Sequence, residues 1–188
     1  MASKKSLVVE YLKYEQMLKE ISKGKRIDGR KLLETRPLSI ELGVIEKANG
    51  SAKVTLGNTE VIAGIKIQTG VPFDDTPNKG LLIVTSEILP IAASWAEPGP
   101  PNAEVIELAR VVDRGVRESK IIELTDLCIV EGKKVLAVFV DISVLNVDGN
   151  LFDAASYAAV AALLTAKMPK YKINKEGEIE DTGKQIPL

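Results

Sequence analysis

The chain contains no histidine, a single cysteine and no long apolar run. Each absence removes a class of chemistry. Without histidine, the commonest general base and the commonest zinc ligand are both missing. One cysteine, Cys128 in the run LTDLCIV, excludes a disulfide framework within the chain and predicts a reducing compartment. No stretch reaches the roughly 18 apolar residues that a membrane-spanning helix needs. The start, MASKKSLVVEYLKYEQ, lacks the continuous apolar core of a signal peptide. The simplest expectation is a cytoplasmic protein with no membrane partner. An excess of charge of either sign is missing too. Lys and Arg total 25 against 26 Asp and Glu, so any nucleic acid must be held by a local patch or within an assembly. A hydrophobic share of 45% over 188 residues is enough for one domain with a real core.

What is present reads as an α+β chain. Residues 6–22 carry a helical stripe of Val8, Leu12, Leu18 and Ile21, with Ser6 placed to cap the start and Gly24 to end it. Short strand-like runs follow: PLSIEL, VIEKAN after Gly43, AKVTLG after the hairpin signal at 49–51, and EVIAGIKIQT after the turn at 57–59. GLLIVTSEILPI reads as a buried strand. LTDLCIVEGKKVLAVFVDISVLN reads as a hairpin turning at Gly132 and Lys133, and residues 153–168 as an alanine-rich helix. A weak hairpin signal sits at Lys175–Gly177. The expectation is a mostly antiparallel or mixed sheet with helices packed on one face. The domain organisation is a helix over 1–24 followed by one domain over 25–188. The last residues, IPL, read like the start of another element, which predicts a missing C-terminal portion.

The segment EPGPPNAEVIELARVVDRGVRESK, residues 97–120, is the richest in chemistry. Asn102 closes a Pro/Gly loop, and Arg110, Arg114 and Arg117 follow at spacings of four and three. On a helix advancing about 100° per residue, the three guanidinium groups fall within roughly 60° of one another. Val105, Leu108, Val112 and Val116 lie on the opposite side. Such a polar stripe can hold a polyanion, because the planar guanidinium bonds two oxygens of a phosphate at once. Spacing alone favours a blander reading: Asp113 with Arg117, and Arg114 with Glu118, as ordinary surface ion pairs.

Three further stretches are weighed the same way. RIDGRKLLETRPL at 26–38 reads as a partly buried knot of ion pairs rather than a catalytic site. VDGNLFD at 147–153 is a Gly-containing turn into a helix, which can offer N–H groups to a phosphate. Asp148 and Asp153 would repel that phosphate, so a helix start capped by Asp153 is the better reading. Asp74 and Asp75 in PFDDTPNKG read as solvated carboxylates rather than metal ligands.

RIDGRKLLETRPL also resembles the opening signature of the ribonuclease PH family, and NGSAKVTLGNTEVIAGIK at 49–66 is similar to that family's next two strands. The resemblance runs from about residue 24 to the end. Within the family, PNKGLLIVTSEILPIA, the arginine segment and DISVLNVDGN look most like the non-catalytic ring subunit of the archaeal exosome. The resemblance implies a ribonuclease PH-like fold of two βα halves, of which this chain lacks part of the second. It implies a hexameric ring, a trimer of heterodimers, in which inorganic phosphate attacks the RNA 3′ end and releases nucleoside diphosphates. The implied partners are a catalytic ribonuclease PH-like paralogue, cap subunits with RNA-binding domains, and single-stranded RNA. No cofactor and no metal are implied. Catalytic members carry Gly-(Ser/Thr)-Arg where this chain has Gly149, Asn150 and Leu151, so no catalytic residue is assigned. The family's catalytic acids would lie beyond Leu188. The resemblance turns the balance for Arg110, Arg114 and Arg117 toward RNA binding. Two alternatives stay open: an active phosphorolytic exoribonuclease, and a purely structural scaffold subunit.

Overall fold

The computed structural model describes residues 4–173 and 179–188 and forms two compact units, Met1–Pro37 and Leu38–Leu188. In the first, α1 spans Lys4–Ser22, two residues earlier than the sequence suggests, so Ser6 lies inside the helix rather than at its cap. Gly24 ends it at φ 77°, with its N–H donating to Ile21 O at 2.9 Å. That left-handed turn is one that glycine adopts without a Cβ penalty.

Beyond α1, the segment 26–34 is tied by its own polar groups. Arg26 donates twice to Leu32 O, at 2.7 and 3.0 Å, and Arg30 donates to Asp28 Oδ2 at 2.7 Å and to Glu34 O at 2.7 Å. The hydrogen bond from Arg30 holds the Asp28 carboxyl below its ordinary range. The expected knot exists, but it is largely exposed, and three of these four bonds end on backbone carbonyls rather than on carboxylates.

The second unit is built on one sheet. Its strands are β1 (Leu38–Leu42), β2 (Gly50–Leu56), β3 (Thr59–Gly70), β4 (Leu81–Ile88), the short β5 (Cys128–Val130) and β6 (Lys134–Asn146). The order across the sheet is β1-β2-β3-β6-β4, with β5 paired to β6. All pairings are antiparallel except β4 with β6, which is parallel. That parallel pair requires a crossover, and the helix α2 (Ala103–Glu118) lies within it. A second helix, α3 (Leu151–Leu164), follows β6. It leads to an antiparallel pair, β7 (Lys167–Ile173) and β8 (Ile179–Pro187). The hairpin signal at Lys175–Gly177 lies outside the described residues.

Alternation along the strands places one core. Ala52, Val54 and Leu56 of β2, Val61, Ala63, Ile65 and Ile67 of β3, and Val138, Val140, Ile142 and Val144 of β6 are all buried on one face. α2 and α3 cover that face. The opposite face carries exposed residues such as Lys66 and Asp141.

Two strand readings change. VIEKAN forms no strand. Gly43 N donates to Ser51 O and Ile45 N to Ser51 Oγ, both at 2.8 Å, so the chain doubles back as a loop into β2. The signal at 49–51 is therefore not a tight hairpin. Asn49 instead bonds Ile67 N through its side chain and Lys167 through both backbone and side chain. β4 is only half buried, because it is an edge strand whose second face meets solvent.

Candidate nucleic-acid interface

The loop 89–102 delivers the chain to α2, and Asn102 fixes the start. Its backbone is extended, and its Oδ1 accepts from Val105 N at 3.0 Å, satisfying one of the free N–H groups of the first turn. The burial of Val105, Leu108, Val112 and Val116 then sets the rotation of the helix. Burying each such side chain contributes on the order of 2 kcal/mol, so the arginine side has no alternative but to face outward.

Arg110, Arg114 and Arg117 are all exposed, but they are not equivalent. Arg117 grips Asp113 with Nη2 to Oδ1 at 2.8 Å and Nε to Oδ2 at 3.3 Å, and its Nη2 also reaches Leu82 O on β4 at 3.0 Å. Its fork is spent on Asp113 of the same helix and, through one bond, on the sheet. Arg110 and Arg114 make no ion pair or hydrogen bond among the described residues, and the pair of Arg114 with Glu118 does not form. Two guanidinium groups one helical turn apart, about 6 Å along the axis, are left with unspent donors. Sequence spacing foresaw the pair of Asp113 with Arg117, but it gave Arg114 a partner on equal grounds and could not show the bond to β4, which is 35 positions away.

The turn at 147–150 presents the opposite chemistry. Gly149 and Asn150 both have left-handed backbones, at φ 78° and 58°. The fully buried Thr59 clamps them, its hydroxyl donating to Gly149 O at 2.6 Å and accepting from Asp148 N at 2.9 Å. Asn58 Nδ2 adds a bond to Asp148 Oδ2 at 3.0 Å. The helix begins at Leu151, with Asn150 at its cap and no side-chain cap bond. Asp153 therefore sits within the first turn instead of capping it, because the clamp starts the helix two residues early. Its charge still faces the positive end of the helix, where an anion would otherwise sit. Asp74 and Asp75 lie in the loop 71–80, and no group of three His, Cys, Asp or Glu suited to a metal occurs among the described residues. No helix among them is long and apolar enough to cross a membrane.

Residues 34–169 match the family described as the 3′ exoribonuclease family, domain 1. Among similar curated proteins, the exosome complex component Rrp42 of Pyrococcus abyssi is 50% identical over 182 residues, 96% of this chain and 66% of that protein. The Rrp42 component of Methanocella arvoryzae is 47% identical over 181 residues, 96% of this chain and 70% of that protein. A solved structure of the Archaeoglobus fulgidus exosome with RNA bound to the active site matches with a TM-score of 0.83 at 50% identity, covering 86% of this chain and 64% of that one. An archaeal exosome core matches with a TM-score of 0.80 at 44% identity, covering 96% and 66%. The chain thus spans about two thirds of the length of the curated relatives it matches. The mixed sheet with helices on one face is a ribonuclease PH-like fold, and the chain belongs to the 3′ exoribonuclease (ribonuclease PH) family, alongside the archaeal exosome components named Rrp42.

Proposed function

We propose that this chain is a non-catalytic subunit of an archaeal-type exosome ring, binding RNA beside the active site of a catalytic paralogue. The observation that carries the reading is the pair Arg110 and Arg114. They are exposed, have no partner of their own among the described residues, and stand on a helix whose orientation the core fixes. They would hold phosphates of a single-stranded 3′ end and position it without reading its sequence. Arg117 serves the scaffold: its bond to Leu82 O ties α2 to β4, and its ion pair with Asp113 occupies the rest of its fork within the helix.

The chemistry itself belongs to the neighbour. Inorganic phosphate attacks the terminal phosphodiester there, and a nucleoside diphosphate leaves. This chain's own turn, Gly149-Asn150-Leu151 flanked by Asp148 and Asp153, offers no cation to hold the attacking phosphate. The assembly would be a trimer of heterodimers carrying cap subunits with RNA-binding domains, working in the cytoplasm.

The test compares reconstituted rings. Arg110→Ala with Arg114→Ala should weaken RNA binding by at least about tenfold, since each charge-assisted bond contributes roughly 1.5–3 kcal/mol. The salt dependence of binding should also flatten, by about 0.7 in log–log slope for each phosphate no longer neutralised. Arg117→Ala should leave RNA binding nearly unchanged. Unaltered RNA degradation by the double variant would exclude the role given to the pair. Release of nucleoside diphosphates by the isolated chain would establish an active enzyme instead.

A further inference from the structure

β4 is paired on one side only, with β6. In such an edge strand, alternate residues turn their N–H and C=O toward the neighbour, and those between turn theirs away. Leu89 N donates to Val144 O on β6 at 3.3 Å, which puts odd-numbered positions on the paired side. Gly80 N donates to Leu124 O at 2.7 Å, and Leu82 O accepts from Arg117 at 3.0 Å, which puts even-numbered positions on the open side. Val84 and Ser86 continue that even series. Their outward backbone groups have no partner among the described residues.

α2 runs back along this edge without closing it. Ser86 Oγ donates to Val105 O at 2.7 Å near one end, and Arg117 reaches Leu82 at the other. Between them lies a groove of about 400 Å³, walled by Pro101, Val105, Ile106 and Ala109, with Arg110 opening onto it. Ile106 is 50% exposed, although it belongs to a helix whose other large apolar residues are mostly buried.

We propose that this groove takes an extended polypeptide segment, which adds to β4 as a further strand. Its backbone pairs with Val84 and Ser86, one apolar side chain rests against Ile106 and Ala109, and an acidic side chain on the same face meets Arg110. An unpaired strand edge beside a helix-walled apolar groove is the arrangement by which peptides are bound through strand addition. The open groups of Val84 and Ser86 repeat every two residues, about 6.6 Å, which a peptide backbone matches in both donors and acceptors. A nucleic acid would satisfy Arg110 but not that alternating row, nor the apolar wall. The proposal does not rest on the RNA reading, because Arg110 is needed only as a cation facing the groove.

The probe is a fluorescein-labelled peptide, Thr-Val-Thr-Glu-Thr, capped at both ends and added to the whole chain. A control peptide carries N-methyl groups on alternate amides. The expected result is saturable anisotropy and slowed amide exchange at Val84 and Ser86. The N-methylated peptide should bind at least about tenfold more weakly, and replacing Glu by Gln in the probe should cost a few-fold. Val84→Pro should abolish binding while leaving the fold intact, since proline is tolerated on an edge strand where its nitrogen faces outward. Ile106→Asp, at an exposed position, gives a second block should the proline variant be unstable. Absence of saturation up to about 1 mM, or equal binding of the N-methylated control, would overturn the proposal. Neither outcome bears on RNA binding by Arg110 and Arg114.

Discussion

α2 and α3 lie on the same face of one sheet and bury themselves in opposite ways. α2 is strongly amphipathic: Val105, Leu108, Val112 and Val116 go inward and the arginines outward. α3 is apolar on nearly all sides. Ala154, Ala155, Ala158, Ala159 and Ala162 are completely buried, while Tyr157 and Leu164 remain exposed on its outer side. The difference is one of distance. Alanine lets a helix backbone come down almost onto the strands, whereas valine and leucine hold it off and leave the outer face free for charge. The close helix therefore serves packing, and the stand-off helix keeps an outer face on which Arg110 and Arg114 stand exposed.

The largest effect of this difference in distance is expected at Gly50. A Cβ there would meet Ala162 O and lie 2.7 Å from Ala166 Cα, both backbone atoms that cannot swing aside. Gly50→Ala should destabilise the chain by about 2–3 kcal/mol, read as a lower midpoint in denaturant. A change below about 0.5 kcal/mol would mean that α3 is not held so close. The helix starts give a smaller contrast. Asn102→Ala should cost about 1 kcal/mol, because it removes a formed cap bond, whereas Asn150→Gly should cost nothing and can gain a few tenths, because Asn150 makes no such bond and sits in the left-handed region. Equal losses at the two sites would erase the distinction. Smallest is Gly115 on α2, where an added Cβ would meet nothing within 4 Å beyond its own stretch of helix. Gly115→Ala should stabilise by about 0.5–1 kcal/mol through helix propensity alone, opposite in sign to Gly50→Ala.

Much of this was legible in the sequence, and the parts that were not share a cause. The cap at Asn102, the buried stripe of α2 and the turns read at 57–59 and 132–133 are local, so period and turn chemistry reveal them. The ribonuclease PH-like fold came from several separated motifs in the right order. What escaped depends on residues far apart in the chain. Asn49 at the end of VIEKAN is tied to Lys167, 118 positions on, and the parallel pairing of β4 needs a partner more than fifty positions away. Arg117 looked like its neighbours until Leu82 O came within reach. The misplaced cap at Asp153 has the same origin, since the turn before it is set by Thr59.

That hydroxyl also bears on the order in which the molecule is made. Thr59 stands at the start of β3, yet its two bonds go to Asp148 and Gly149, about ninety positions later. As the chain leaves the ribosome, the β2–β3 hairpin can pair early, but the hydroxyl that is buried in the finished fold bonds only water until β6 and the following turn have been synthesised. A closure of that span is slow and costs chain entropy that only the finished sheet repays. The start of β3 and the turn into α3 are thus joined only late, and a nascent chain halted before residue 148 would lack both bonds of Thr59.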